Sequence, residues 1–210
     1  MMNSLPRFLR LATLSVLLPI LPPVIAKDDN STSLFNGKTL AGWTVLNGGQ
    51  FTVSNGLLSL NRGTGWLRST ETYGDFKLTL EVRFNEVAAN SGIFVRTGPT
   101  SHDDESGWPD HGYQVQCMDT AEGEHPLGTL IAYGAGEFDQ IFDPTKIAKA
   151  KNPAPEWNLM EITCRGESLS VRLNGELISI SLGVRQRSGH IGIQGEHGPL
   201  DFRRIEIEQL

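Results

Sequence analysis

The chain has 210 residues, 18 Lys and Arg against 24 Asp and Glu, a formal net charge of −6, and two cysteines. A net negative chain without basic clusters lacks the electrostatic footprint of a nucleic-acid binder or of a protein held on an anionic membrane, and the absence of CxxC or clustered Cys/His spacing removes a structural zinc site. Neutral ligands suit this balance better.

Residues 1–26 differ from the rest: Arg7 and Arg10 precede an apolar run from Leu11 to Val24, and small residues close it before Lys27-Asp28-Asp29. This pattern predicts a cleavable secretory signal, so a secreted or periplasmic protein with no stable membrane insertion after cleavage. The run is short for a membrane span, and Pro19, Pro22 and Pro23 interrupt it. Residues 27–32 read as a polar leader, and 33–210 as one domain.

From there the chain is a series of short alternating segments separated by Gly, Asn and Pro. Phe51-Thr52-Val53 and Leu57 to Leu60 flank Ser54-Asn55-Gly56, a hairpin signal, because Asn-Gly tolerates the positive φ that tight hairpin turns demand. Phe76 to Phe84 alternates apolar and polar residues almost perfectly. Asn90 to Arg96, Gly112 to Gln116, Trp157 to Cys164, Ser168 to Leu173, Glu176 to Ile180, Gly192 to Gln194 and Phe202 to Ile207 continue the set, with Asn174-Gly175 as a second tight turn. The best helical stretch is Pro144 to Ala150. Many short strands predict an all-β sandwich or barrel, the architectures that bury one face of every strand. Cys117 and Cys164 both fall in strand-like segments, and their spacing does not distinguish a bridge from two buried thiols.

Side-chain parity separates two faces. If Tyr113, Val115 and Cys117 face the core, Gln114, Gln116 and Met118 face away, and the same count puts Arg96 with Phe94, Gly92 and Asn90. A face bearing Arg96, Gln114, Gln116 and Asn90 can make several directional hydrogen bonds to sugar hydroxyls. The polar stretch Ser101 to His111 holds Trp108 among acids and histidines, which suits a rim that stacks on a sugar ring or a hard-cation site of carboxylate oxygens. Gln194, Glu196 and His197 end a predicted strand between Gly192 and Gly198, and a histidine there suits proton transfer near neutral pH. Asp119, Glu122, Glu124 and Glu156 are further acid candidates.

The chain lacks a Gly-x-Ser-x-Gly elbow, a phosphate loop and a His-Glu-x-x-His motif. Its one Glu-x-Asp, Glu137-Phe138-Asp139, reads as part of a Gly-rich loop, so ordinary two-carboxylate glycosidase chemistry finds no support.

Seven motifs in order carry a family resemblance: Ser33 to Trp43, Tyr73-Gly74-Asp75-Phe76, Asn90-Ser91-Gly92-Ile93, Gly112-Tyr113-Gln114-Val115-Gln116, Glu156-Trp157-Asn158, Leu173-Asn174-Gly175, and Ile193-Gln194 to Phe202-Arg203. Together they resemble the 3-keto-disaccharide hydrolase family, also described by its 3-keto-glucoside 1,2-lyase and 3-keto-2-hydroxy-glucal hydratase chemistry. The resemblance implies a concanavalin A-like jelly roll of two antiparallel sheets, exported in bacteria and acting on 3-keto-glycosides, with a separate sugar 3-dehydrogenase supplying the ketone. The C3 ketone acidifies the C2 proton, a base removes it, the enolate expels the C1 substituent, and water adds to the resulting glucal. Such a route needs a base, an enolate-stabilising donor and an acid for the leaving oxygen. On that reading Arg96 is the positive donor, Gln116 and Gln114 orient hydroxyls, and His197 or a carboxylate is the base. Asn90, Trp108, Gln194 and Glu196 line the sugar, and a divalent cation on the acidic rim is an alternative electrophile. The chain departs from the family pattern Gly-Tyr-Glu-x-Gln at Gln114, which keeps a non-catalytic carbohydrate-binding module of the same fold as the alternative.

Overall fold

The computed structural model describes residues 30–210. The predicted signal and the first residues of the leader lie outside the described residues. The strands, in chain order, are β1 (Thr32–Ser33), β2 (Trp43–Leu46), β3 (Phe51–Ser54), β4 (Leu57–Leu60), β5 (Trp66–Tyr73), β6 (Phe76–Phe84), β7 (Asn90–Thr97) and β8 (Gly112–Met118). They continue with β9 (Leu130–Tyr133), β10 (Asp139–Phe142), then helix α1 (Pro144–Ala150), β11 (Trp157–Arg165), β12 (Ser168–Leu173), β13 (Glu176–Leu182), β14 (Gly189–Gln194) and β15 (Leu200–Gln209).

Two antiparallel sheets pack face to face as the expected jelly roll. The larger runs β10-β13-β12-β11-β6-β15-β4-β3, with β1 also on β15; the smaller runs β2-β5-β14-β7-β8-β9. Strand β6 shows why: Phe76, Leu78, Leu80, Val82 and Phe84 are each at most 1% exposed while every intervening residue keeps partial exposure. Leu67, Ile93, Val95, Tyr113, Val115 and Ile193 meet them from the smaller sheet. Each such side chain contributes about 1.5–3 kcal/mol on burial, so the alternation drives both sheets together. The Asn55-Gly56 and Asn174-Gly175 turns take φ of 53° and 78°, and 50° and 88°, as their sequences predict.

Cys117 and Cys164 are free and buried, and burial pushes both thiols up to about 12, so they stay protonated and pack as small apolar groups. Helix α1 forms over the predicted residues, with Asp143 accepting from the amides of Thr145 and Lys146. The stretch after Glu137 is not all loop: Asp139–Phe142 pairs with β13 at the edge of the larger sheet, where Ile141 is 74% exposed.

One register shift changes the site. His190 pairs with Thr97 and Gly192 with Phe94, so Val95 and Arg96 together oppose Ile191 in a β-bulge, and Arg96 takes a φ of 52°. Adjacent residues of a bulge no longer alternate, and the parity that grouped Arg96 with Phe94 ends there.

Candidate functional site

The outer face of the smaller sheet carries Trp66 and Arg68 from β5, Gln194 from β14, Asn90 and Phe94 from β7, Gln114, Gln116 and Met118 from β8, and Tyr133 from β9. Trp66 and Phe94 are fully buried yet stand apart from the core cluster between the sheets. The Ser101–His111 segment buries them by folding back over the face. Trp66 Nε1 donates to Ser101 Oγ at 3.0 Å, Gly65 N to Ser106 O at 2.6 Å, and Trp108 Nε1 to Gly195 O at 3.0 Å. Edge-to-face contacts run from Trp66 to Phe94 (5.6 Å), Phe94 to Tyr133 (5.8 Å) and Tyr133 to Trp108 (6.3 Å), a continuous aromatic band.

Beside that band lie the amides. Gly92 has no side chain, and a Cβ there would stand 2.3 Å from the Gln114 side chain, so the glycine is what lets Gln114 lie flat across β7. Gln114 Nε2 donates to Gln116 Oε1 at 2.7 Å, and Gln114 Oε1 accepts from the Tyr133 hydroxyl at 2.9 Å. Gln194, 1% exposed, has its Oε1 buried without a hydrogen-bond partner, as is Asn90 Oδ1. Leaving such acceptors unpaired costs about 1–3 kcal/mol each.

Glu196 lines a cavity of about 490 Å³ together with Arg62, Thr64, Glu105, Trp108 and His197, a volume in the range of small-molecule sites. Burial raises the Glu196 carboxyl above its ordinary value, more than the His197 charge and the polar side chains of His197 and Asn90 lower it. Burial, and then the Glu196 charge, pushes the Tyr133 phenol up to about 12.

The structure therefore brings Asn90, Gln114, Gln116, Trp108, Gln194 and Glu196 to one face. Trp108 is half-buried and serves as a wall of the cavity. His197 stands at the rim with an 86% exposed side chain, Nδ1 lying 3.6 Å from Glu196 Oε1. Arg96 is not among them. Its buried guanidinium donates to Gly74 O (3.2 Å), Gly166 O (2.8 Å) and Gln186 O (3.1 Å), and pairs with Asp75 Oδ1 at 2.8 Å. It ties three connections together at the end of the sandwich, and the bulge turns it there. Asp119 is ion-paired with Lys151, and Glu122, Glu124 and Glu156 are exposed outside this group. In the rim, Asp104 accepts from Ser106 and Gly107, and among the described residues no group of three or more His, Cys, Asp or Glu is gathered for a metal.

Sequence reasoning missed Tyr133, Trp66 and Arg68. A signal existed for β5, where Trp66-Leu67-Arg68-Ser69 alternates like a strand; β9 has only four residues, and the position of Tyr133 follows from its pairing with Gly112.

A two-sheet jelly roll with an aromatic and amide face on its smaller sheet is the class these features define. The chain belongs to the 3-keto-alpha-glucoside-1,2-lyase-like domain family, whose profile matches residues 30–208. Comparison with curated proteins gives no match. Among solved structures, a candidate glycosyl hydrolase from Parabacteroides distasonis is similar, with 23% identity, 87% of this chain and 100% of that chain covered, and a TM-score of 0.65. A Bacillus subtilis protein of unknown function with a galectin-like fold has 14% identity, 80% and 90% coverage, and a TM-score of 0.62. The carbohydrate-binding module CBM66 from Bacillus subtilis has 14% identity, 80% and 96% coverage, and a TM-score of 0.51. At these identities the likeness establishes the shared fold.

Proposed function

We propose that the protein is an exported carbohydrate-acting enzyme that cleaves 3-keto-glycosides by elimination across C1–C2, with hydration of the resulting glucal. Membership of the lyase-like family supports the substrate class. The observation that carries the reading is Glu196: a carboxylate with a raised pKa, lining a cavity walled by Trp108.

The chemistry places three demands on this face. Glu196 removes the C2 proton, and a carboxylate whose basicity burial has increased is better matched to that carbon acid than an exposed one. The negative charge passes to the C3 oxygen, where amide N–H groups can receive it. The enolate then collapses to a C1=C2 bond and expels the C1 oxygen, which takes a proton; return of the Glu196 proton balances the step. Trp108, the half-buried end of the aromatic band, supplies the apolar surface on which a pyranose ring packs, with Trp66 and Phe94 supporting it from beneath.

The test is incubation of the mature domain with a 3-keto-glucoside, following enone absorbance and free aglycone, beside the unoxidised glucoside. Turnover of the ketone alone supports the reading. Binding of both sugars without turnover would make the protein a carbohydrate-binding module of this fold.

A further inference from the structure

Three side chains on the outer face form a directed chain. The Tyr133 hydroxyl donates to Gln114 Oε1, and Gln114 Nε2 donates to Gln116 Oε1. With its oxygen occupied, Gln116 turns its Nε2 away from Gln114, and that nitrogen meets only the sulfur of Met118, a weak acceptor at 3.9 Å. Exposure rises from 2% at Gln114 to 7% at Gln116, so the chain opens to solvent at the end that carries the unspent N–H. An amide alone has no preferred direction, since turning it by half a rotation exchanges donor for acceptor. Here the direction comes from the phenol: its hydroxyl donates to Gln114 Oε1 at 2.9 Å, and with Gln114 reversed that hydrogen would have no protein acceptor among the described residues.

We infer that Tyr133 is a positioning residue that acts through Gln114 to make Gln116 an N–H donor to the ketone oxygen of the sugar. The inference rests on the keto-glycoside reading above and specifies which group reads the ketone. A ketone accepts hydrogen bonds and cannot donate them, so Gln116 turned the other way would set oxygen against oxygen. As the C2 proton leaves, charge collects on that ketone oxygen and the bond strengthens, so the contact favours the enolate over the bound ketone. Tyr133 touches no substrate atom in this account.

The experiment is a double-mutant cycle with Tyr133→Phe and Gln116→Met, each variant checked for thermal unfolding. Loss of one donor to a developing oxyanion lowers kcat by roughly a hundredfold, so Gln116→Met is expected to fall by about that much with a smaller change in KM. Tyr133→Phe keeps the ring and its packing, and kcat is expected to fall by about three- to tenfold as the amides lose their direction. In the Gln116→Met background the Tyr133 change should have no further effect, because the residue it acts through is gone. The same cycle is read as binding, using a 3-keto methyl C-glucoside whose C1–C bond cannot be expelled. A failure of lyase turnover in the parent then leaves the binding cycle to decide the amide chain. Additive effects of the two changes, or a Tyr133→Phe protein equal to the parent in both kcat and ketone binding, would overturn the inference. If Gln116→Met does not fold, the Tyr133→Phe comparison alone decides it.

Discussion

The outer faces of the two sheets solve the same problem in opposite ways. On the larger sheet, charged side chains are spent on one another: Lys77 pairs with Glu161 at 2.7 Å, Arg203 with Glu81, and Arg83 with Asp201. Trp157 lies between two guanidinium groups, 4.7 Å from Arg83 and 4.1 Å from Arg203. On the smaller sheet, aromatic rings contact one another while amide oxygens of Asn90 and Gln194 stay buried and unpaired. A face whose polar groups are satisfied has little left to offer a ligand; a face that leaves them unpaired costs stability, and keeps binding capacity only where such a group opens to solvent, as the Gln116 N–H does. Two carboxylates show the contrast. Burial acts to raise Asp201, but hydrogen bonds from Ser59, Arg83 and Asn85 and the Arg83 charge outweigh it and hold the carboxyl below its ordinary value. At Glu196 burial wins.

The largest expected effect lies outside both faces. Replacing Arg96 by Met removes a buried cation that joins three connections, and should cost about 3–5 kcal/mol in urea unfolding while the folded fraction keeps its kcat. A large loss of kcat in folded protein would return Arg96 to the site.

Next is the pH dependence of turnover. Glu196 acts as a base only when ionised, so kcat/KM should fall by about tenfold per pH unit below its folded pKa, which lies above the ordinary 4.5. The sign for stability is the reverse: with a raised folded pKa, the contribution of Glu196 is fully present below 4.5 and lost as pH rises through the folded value. Asp201 has the opposite sign. Its stabilisation is present above 3.8 and lost as pH falls through a lower folded value.

Asp201→Asn should therefore destabilise the fold by roughly 1–3 kcal/mol at neutral pH, by weakening the hold on Arg83, and leave turnover unchanged. Smallest is His197→Ala. An exposed pair contributes under about 1 kcal/mol, so kcat/KM should change by no more than about fivefold; a larger fall would make the rim histidine part of the proton transfer.

Much of this contrast can be read in the residues before any coordinates. The alternation of Phe76 to Phe84 and the two Asn-Gly turns are local, and local rules place them correctly. Parity likewise put Gln114, Gln116 and Asn90 on one face, because no irregularity intervenes between Asn90 and Val95 or along Gly112 to Gln116. Arg96 escaped the same count because a bulge depends on the partner strand, two residues of β7 against one of β14, and nothing in β7 alone announces it. Tyr133 and the covering role of Trp108 arise from non-local contacts, to Gln114 at 2.9 Å and to Gly195 at 3.0 Å. Glu196 and His197 are neighbours in sequence with very different exposure; strand-end geometry, which residue types do not encode, separates them.

The most direct test sets the two carboxylates side by side: enone formation from a 3-keto-glucoside by the parent, Glu196→Gln and Asp201→Asn proteins under identical conditions. Catalysis on the smaller sheet predicts a fall of about a hundredfold or more for Glu196→Gln, with substrate still bound, and parental turnover for Asp201→Asn. Parental turnover in Glu196→Gln, or its loss in folded Asp201→Asn, would contradict that account.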